Sequence, residues 1–204
     1  MIRFIYLLVV VSASASCNLL VDQETASDYT KMEGFVLSNS NIKCGLPSSF
    51  HRKEIQPLLG EKSSTAQIIQ KMVGDHVAED EAHVDLFSNQ AEDRWLMFVN
   101  SPLREISKVT TSLENLKIEA SVKTLETSLP GWSVFRRGSS FRKKRHLEYA
   151  KYQHFLTNTQ DTTYITRYVT NVSDRTCTII ELGKGTSDFE PFITTMSVLK
   201  TEKN

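Results

Sequence analysis

Residues 147–182 read LEYAKYQHFLTNTQDTTYITRYVTNVSDRTCTIIEL, and this stretch decides the fold. It holds three runs rich in β-branched and aromatic residues: Leu147–Leu156, Thr163–Thr170 and Thr176–Leu182. The connections between them, Thr157–Asp161 and Asn171–Asp174, are short and polar, so the runs pair as an antiparallel meander. Trp132–Phe135 adds a fourth strand upstream, after the break at Pro130-Gly131. Before that break, residues 103–128 are helical by period. Ile118, Val122, Leu125 and Leu129 form an apolar stripe that Leu113 and Leu116 extend.

Further out, Trp95–Val99 is apolar on both faces and predicts a central strand, stopped by Ser101-Pro102. Val84–Phe87 is its partner candidate. Ser64 and Gln67 form a capping box for a helix bearing Ile68, Ile69, Met72 and Val73 on one face and ending at Gly74. Phe35–Leu37 is a short strand, and Cys44-Gly45-Leu46-Pro47 reads as a loop. Downstream, Ser187 and Glu190 cap a last amphipathic helix carrying Phe189, Phe192, Ile193 and Met196. Helices interrupt an antiparallel sheet instead of alternating strictly with strands. The class is therefore α+β, an antiparallel sheet packed by helices on its faces.

The chain has 204 residues, with 24 Lys+Arg against 24 Asp+Glu. Its 40% apolar and 24% charged residues exclude a disordered, collagenous or coiled-coil protein. Zero formal charge and export, argued next, point away from nucleic acid as a partner. Three cysteines are too few for a disulfide scaffold.

The N-terminus carries an address. Arg3 precedes the apolar run Phe4–Val11, and Ser12–Ser16 are small, which is the layout of a secretory signal peptide over residues 1–16. The run is shorter than the roughly 20 residues a spanning helix needs. Ala13-Ser14-Ala15 offers an ordinary cleavage site, releasing a free chain. Ala15-Ser16-Cys17 resembles the end of a bacterial lipobox, with Ser14 where that pattern usually has Leu; it implies lipidation of Cys17. Asn18 then fits outer-membrane sorting, facing the periplasm. Residues 17–33 read as lipid-anchor site and tether, 34–200 as one α+β domain and 201–204 as a tail. With Cys17 acylated, Cys44 and Cys177 remain as a candidate disulfide or as two buried thiols.

Charge is unevenly placed. Arg136, Arg137, Arg142, Lys143, Lys144 and Arg145 form a basic stretch without an intervening acid, expected at the tip of a hairpin. It suits an anionic membrane surface, an envelope protein partner, or plain solvation. Asp75, Glu79, Asp80, Glu81, Asp85, Glu92 and Asp93 form an acidic stretch with His76 and His83 inside it. The spacing fits neither an EF-hand nor a zinc helix, so a solvated acidic loop is the expectation and no metal is assigned. Tyr149, Tyr152, Tyr164 and Tyr168 offer either a stacking surface or cross-strand packing. His146 and His154 are expected at the surface or an edge.

No nucleophile elbow or phosphate loop is present, and no catalytic residue or cofactor is assigned. The layout is similar to the PsbP/DcrB-like fold. Glu33-Gly34-Phe35-Val36-Leu37 matches that family's early strand. Asp188-Phe189-Glu190-Pro191-Phe192, running to Ser197-Val198-Leu199, matches its acidic-aromatic opening of a final helix. The resemblance covers roughly residues 30–200. It implies an α/β/α sandwich and a non-enzymatic accessory or binding role. An exported hydrolase or metal-dependent enzyme with a site built from dispersed residues is the alternative.

Overall fold

The computed structural model describes residues 32–77, 81–91, 93–144, 146–185 and 189–199, without the side chains of 59, 60, 76 and 77. Strands β1 (Met32–Val36), β2 (Ile42–Pro47) and β3 (His51–Lys53) lead through a 3-10 turn, Gln56–Gly60, to helix α1 (Ser64–Val77). Then come β4 (His83–Asn89), β5 (Arg94–Pro102) and α2 (Lys108–Ser128). The meander follows as β6 (Ser133–Lys144), β7 (Leu147–Thr157), β8 (Thr162–Val172) and β9 (Arg175–Gly183). Helix α3 (Glu190–Ile193) and β10 (Ser197–Val198) close the chain.

Two sheets result. The larger has seven antiparallel strands in the order β3-β4-β5-β9-β8-β7-β6, and the smaller has the order β1-β2-β10. The meander pairs as its sequence predicts, with Tyr152 opposite Arg167 and Tyr168 opposite Ile179. Strand β5 lies between β4 and β9 and is buried along most of its length. Proline at its last position costs no ladder bond inside the strand.

Side chains along each strand alternate between two faces. On one face, Leu86, Met97, Val99, Ile180, Leu182, Ile165 and Val169 meet α1 and α2. Helix α1 contributes Ile68, Ile69, Met72 and Val73, and α2 contributes Ile118, Val122 and Leu125. On the other face, Phe87 and Phe98 meet Phe35 of β1, and Phe98 and Tyr168 meet Phe189 at the start of α3. Helices therefore cover one face, while the small sheet and a single helical turn cover the other. The expected α/β/α layering changes accordingly. The final helix is a single turn, after which the Thr194 and Thr195 hydroxyls donate back to the Pro191 and Phe192 carbonyls. Ser197 and Val198 then pair with β2.

Several local expectations shift. Cys44-Gly45-Leu46-Pro47 belongs to β2 instead of a loop, with Cys44 and Leu46 buried. Ser63, one residue earlier than expected, caps α1 by accepting from Ala66 N at 3.2 Å. Gly74 does not end that helix, which runs on to Val77. Helix α2 starts at a Ser107/Thr110 capping box, and its buried stripe continues through Thr111 and Asn115. Leu113 and Leu116 are exposed instead, at 59% and 62%. Gly131, at φ +84°, turns the chain from α2 into β6.

Candidate functional site

The basic stretch reaches the end of a hairpin, with Lys144 opposite Leu147, but is not confined to its tip. It lies within β6, which pairs with β7 from Ser133 to Lys144 and forms one edge of the large sheet. A bulge between Arg136 and Gly138 interrupts the ladder. Because successive side chains alternate, the cations are divided between the two faces. Arg136 sits opposite His154 on the helix side, where Nη2 donates to Ser139 Oγ at 3.3 Å. Arg142 sits opposite Tyr149 on the small-sheet side and donates to the buried Glu190 at 2.6 Å. Lys143 donates to Glu148 at 2.8 Å, and that hydrogen bond raises its pKa. Arg137 and Lys144 are exposed and have no carboxylate partner among the described residues. Arg145 lies outside the described residues, as do Cys17, the signal segment 1–16 and the 201–204 tail.

The acidic stretch disperses too. Asp75 on α1 pairs with Lys71 and accepts from Ser121 Oγ at 2.6 Å. Asp85 on β4 is buried on the small-sheet side. It accepts from Ser38 N, Ser38 Oγ and Arg52 Nη2, each at 2.7 Å. Glu81 lies in the turn before β4, with Arg175 at 4.0 Å. His83 contacts the Asn39 amide at 2.9 Å. Glu79, Asp80, Glu92 and the His76 side chain lie outside the described residues. Among the described residues, no three His, Cys, Asp or Glu side chains gather to hold a metal ion.

Cys44 and Cys177 are buried free thiols. Burial pushes both pKa values up to about 12. For Cys44 this outweighs its contact with Thr195 Oγ1 at 3.9 Å. Tyr149, Tyr152 and Tyr168 are buried as packing groups, not as a stacking surface. His154 is also buried, at 2% exposure, contrary to its surface expectation. It sits on the inward frame of β7 beneath α2, and burial, with Arg167 nearby, lowers its pKa to about 4. His146 is exposed, 3.4 Å from the Met196 carbonyl.

Sequence reasoning missed a second polar location. Between α1, α2 and the sheet lies a cleft of about 210 Å³ lined by Asp75, Arg104, Glu114, Lys117, Ser121, Arg167 and Thr178, among others. The signal was present. Ile165, Arg167 and Val169 share one period-2 frame, so an arginine stands in a row of core positions.

No family model matches the chain, and no curated protein matches it. Solved structures do. The solution structure of cyanobacterial PsbP (CyanoP) from Synechocystis superposes with a TM-score of 0.52 at 10% identity, covering 85% of this chain and 96% of that one. The Saccharomyces cerevisiae Ran-binding protein Mog1p gives a TM-score of 0.47 at 9% identity, covering 82% and 95%. The chain has a PsbP-like fold. No helix among the described residues is long and apolar enough to cross a membrane.

Proposed function

We propose that this chain is an exported, lipid-anchored protein of the bacterial envelope, acting as a non-enzymatic binding or accessory module through strand β6. One observation carries the reading. Strand β6 is a terminal strand of twelve residues, and most of its side chains are exposed. Such an edge presents a row of backbone donors and acceptors to which an extended segment of another protein can add. Val134 N–H is already used, donating to Glu126 at 2.6 Å, and the bulge follows it. The open stretch is therefore Ser139–Lys144. Arg137 and Lys144 supply the charge that favours an acidic segment and disfavours a second copy of the same edge.

The address belongs to the same proposal. Cys17 carries lipid, residues 17–33 tether the domain, and the domain faces the periplasm from the outer membrane. Export would also permit a Cys44–Cys177 bond, which intact mass under non-reducing conditions decides. Cys17→Ala should move the protein from the membrane fraction to the soluble one. Unchanged fractionation with no lost acyl mass rejects the anchor. A photocrosslinker at Ser140, in otherwise intact cells, should give a discrete envelope adduct. Arg137→Glu with Lys144→Glu should abolish it. Equal crosslinking by the reversed variant would overturn the edge as the contact. Loss of binding to anionic vesicles with the adduct retained would assign these cations to the membrane surface instead.

A further inference from the structure

The cleft between α1, α2 and the large sheet is built for an anion. Three cations line it, Arg104, Lys117 and Arg167, against two carboxylates, Asp75 and Glu114. One positive charge is left over. The carboxylates are already engaged, Asp75 with Lys71 and Ser121, and Glu114 with Lys117 at 3.5 Å. Arg104 Nη2 donates to Thr178 Oγ1 at 3.2 Å, which leaves that hydroxyl's own proton to donate.

Arg167 is the decisive group. It is 8% exposed, and its buried Nε–H has no acceptor. Nearly all buried polar groups in folded proteins are paired, so an unpaired donor on a charged group that lines a cleft marks a departure from ordinary core packing. Burial also lowers the pKa of this guanidinium to about 10, with Asp75 opposing the shift and Arg104 adding to it. At neutral pH it is still charged, in surroundings that only partly compensate it. A guanidinium presents planar paired donors that match the oxygens of a carboxylate or phosphate.

We infer that this cleft is a binding site for one small oxyanion, a carboxylate or inorganic phosphate, held by the Arg167 and Arg104 guanidiniums with the Thr178 hydroxyl as an added donor. Volume limits the ligand. A space of about 210 Å³ is below the usual range for drug-sized ligands, so a nucleotide does not fit. Strand β6 lines none of it, so this site does not rest on the edge-strand reading.

The test is calorimetric titration of the purified protein with acetate and with inorganic phosphate, at constant ionic strength, with chloride as the reference. Saturable one-to-one binding of either ion beyond chloride supports the site, and the ion that binds names the source. Arg167→Met should then weaken binding at least tenfold. If that variant fails to fold, Arg104→Gln decides, with the same loss expected. Binding of neither ion beyond chloride would overturn the inference. So would a loss of less than tenfold in whichever of these variants folds.

Discussion

The two faces of the large sheet are held by different means. On the small-sheet side an aromatic cluster runs through Phe35, Phe87, Phe98, Phe189 and Phe192. The buried carboxylates there are answered: Asp85 by Ser38 and Arg52, Glu190 by Arg142 and Lys151, and Glu181 by Arg94. On the helix side, aliphatic packing is broken by Arg167, His154 and Thr163, whose buried Nε, Nε2 and Oγ1 have no partners. A face whose buried carboxylates each meet a cation serves stability. A face that buries an arginine and a histidine with no ion pair among the described residues departs from local consistency, as functional sites do.

Phe98→Ala tests the aromatic face hardest. The ring touches Phe35, Phe87 and Phe189, and its loss should cost about 4 kcal/mol in urea unfolding. A cost below about 1 kcal/mol would mean that the cluster does not hold the small sheet. Glu190→Ala should follow at about 3 kcal/mol, because it removes a buried carboxylate that bonds both Arg142 and Lys151. Glu190 also links α3 to β6, so the same variant should raise hydrogen exchange in α3. Exchange unchanged in α3 would leave the ion pair without that structural role.

His154 sharpens the contrast through pH. Its folded pKa is near 4 and its unfolded value near 6.5, so the unfolded chain binds the proton first as pH falls. Stability should therefore be lost between pH 6.5 and 4, by about 3 kcal/mol. The measurement is the urea midpoint against pH for the wild type and for His154→Gln. An identical slope in both would remove His154 as the cause. Arg167→Met should stay within about 1 kcal/mol of wild type, since losing an incompletely paired buried charge removes its desolvation cost. A loss as large as that of Glu190→Ala would show that Arg167 is fully compensated and would erase the contrast between the faces.

What the residues disclosed in advance follows the length of each repeating signal. The meander was legible because β7, β8 and β9 each sustain strand chemistry for nine residues or more, with short polar turns between. The small sheet was not. Strand β10 has two residues, and β2 ends in Gly45-Leu46-Pro47, which read as a turn. The basic stretch was legible as charge but not as an edge. Which strand ends a sheet depends on pairing order, and no local property of residues 133–144 encodes it. The cleft was hidden for a related reason, since its residues come from α1, α2, β8, β9 and the segment before α2.

The apolar stripe of α2 is the instructive miss. Leu113 and Leu116 extend the frame of Ile118 and Val122 closely enough to look like core, yet the helix buries Thr111 and Asn115 instead. The cause is what lies beneath that half of α2. Tyr152, His154 and Arg167 face it from the sheet, and polar partners suit them better than leucine does. Thr111 bonds Tyr152, and Glu119 acts electrostatically on His154. Helix rotation was therefore set by the polar groups of the sheet, which displaced two leucines and Val109 (73% exposed) into solvent. Leu116→Gln should accordingly change stability by less than about 0.5 kcal/mol, whereas a core leucine at the same position would cost several. A loss above about 2 kcal/mol would mean that the apolar stripe, not the polar one, faces the sheet, and the helix-side cleft would lose its wall.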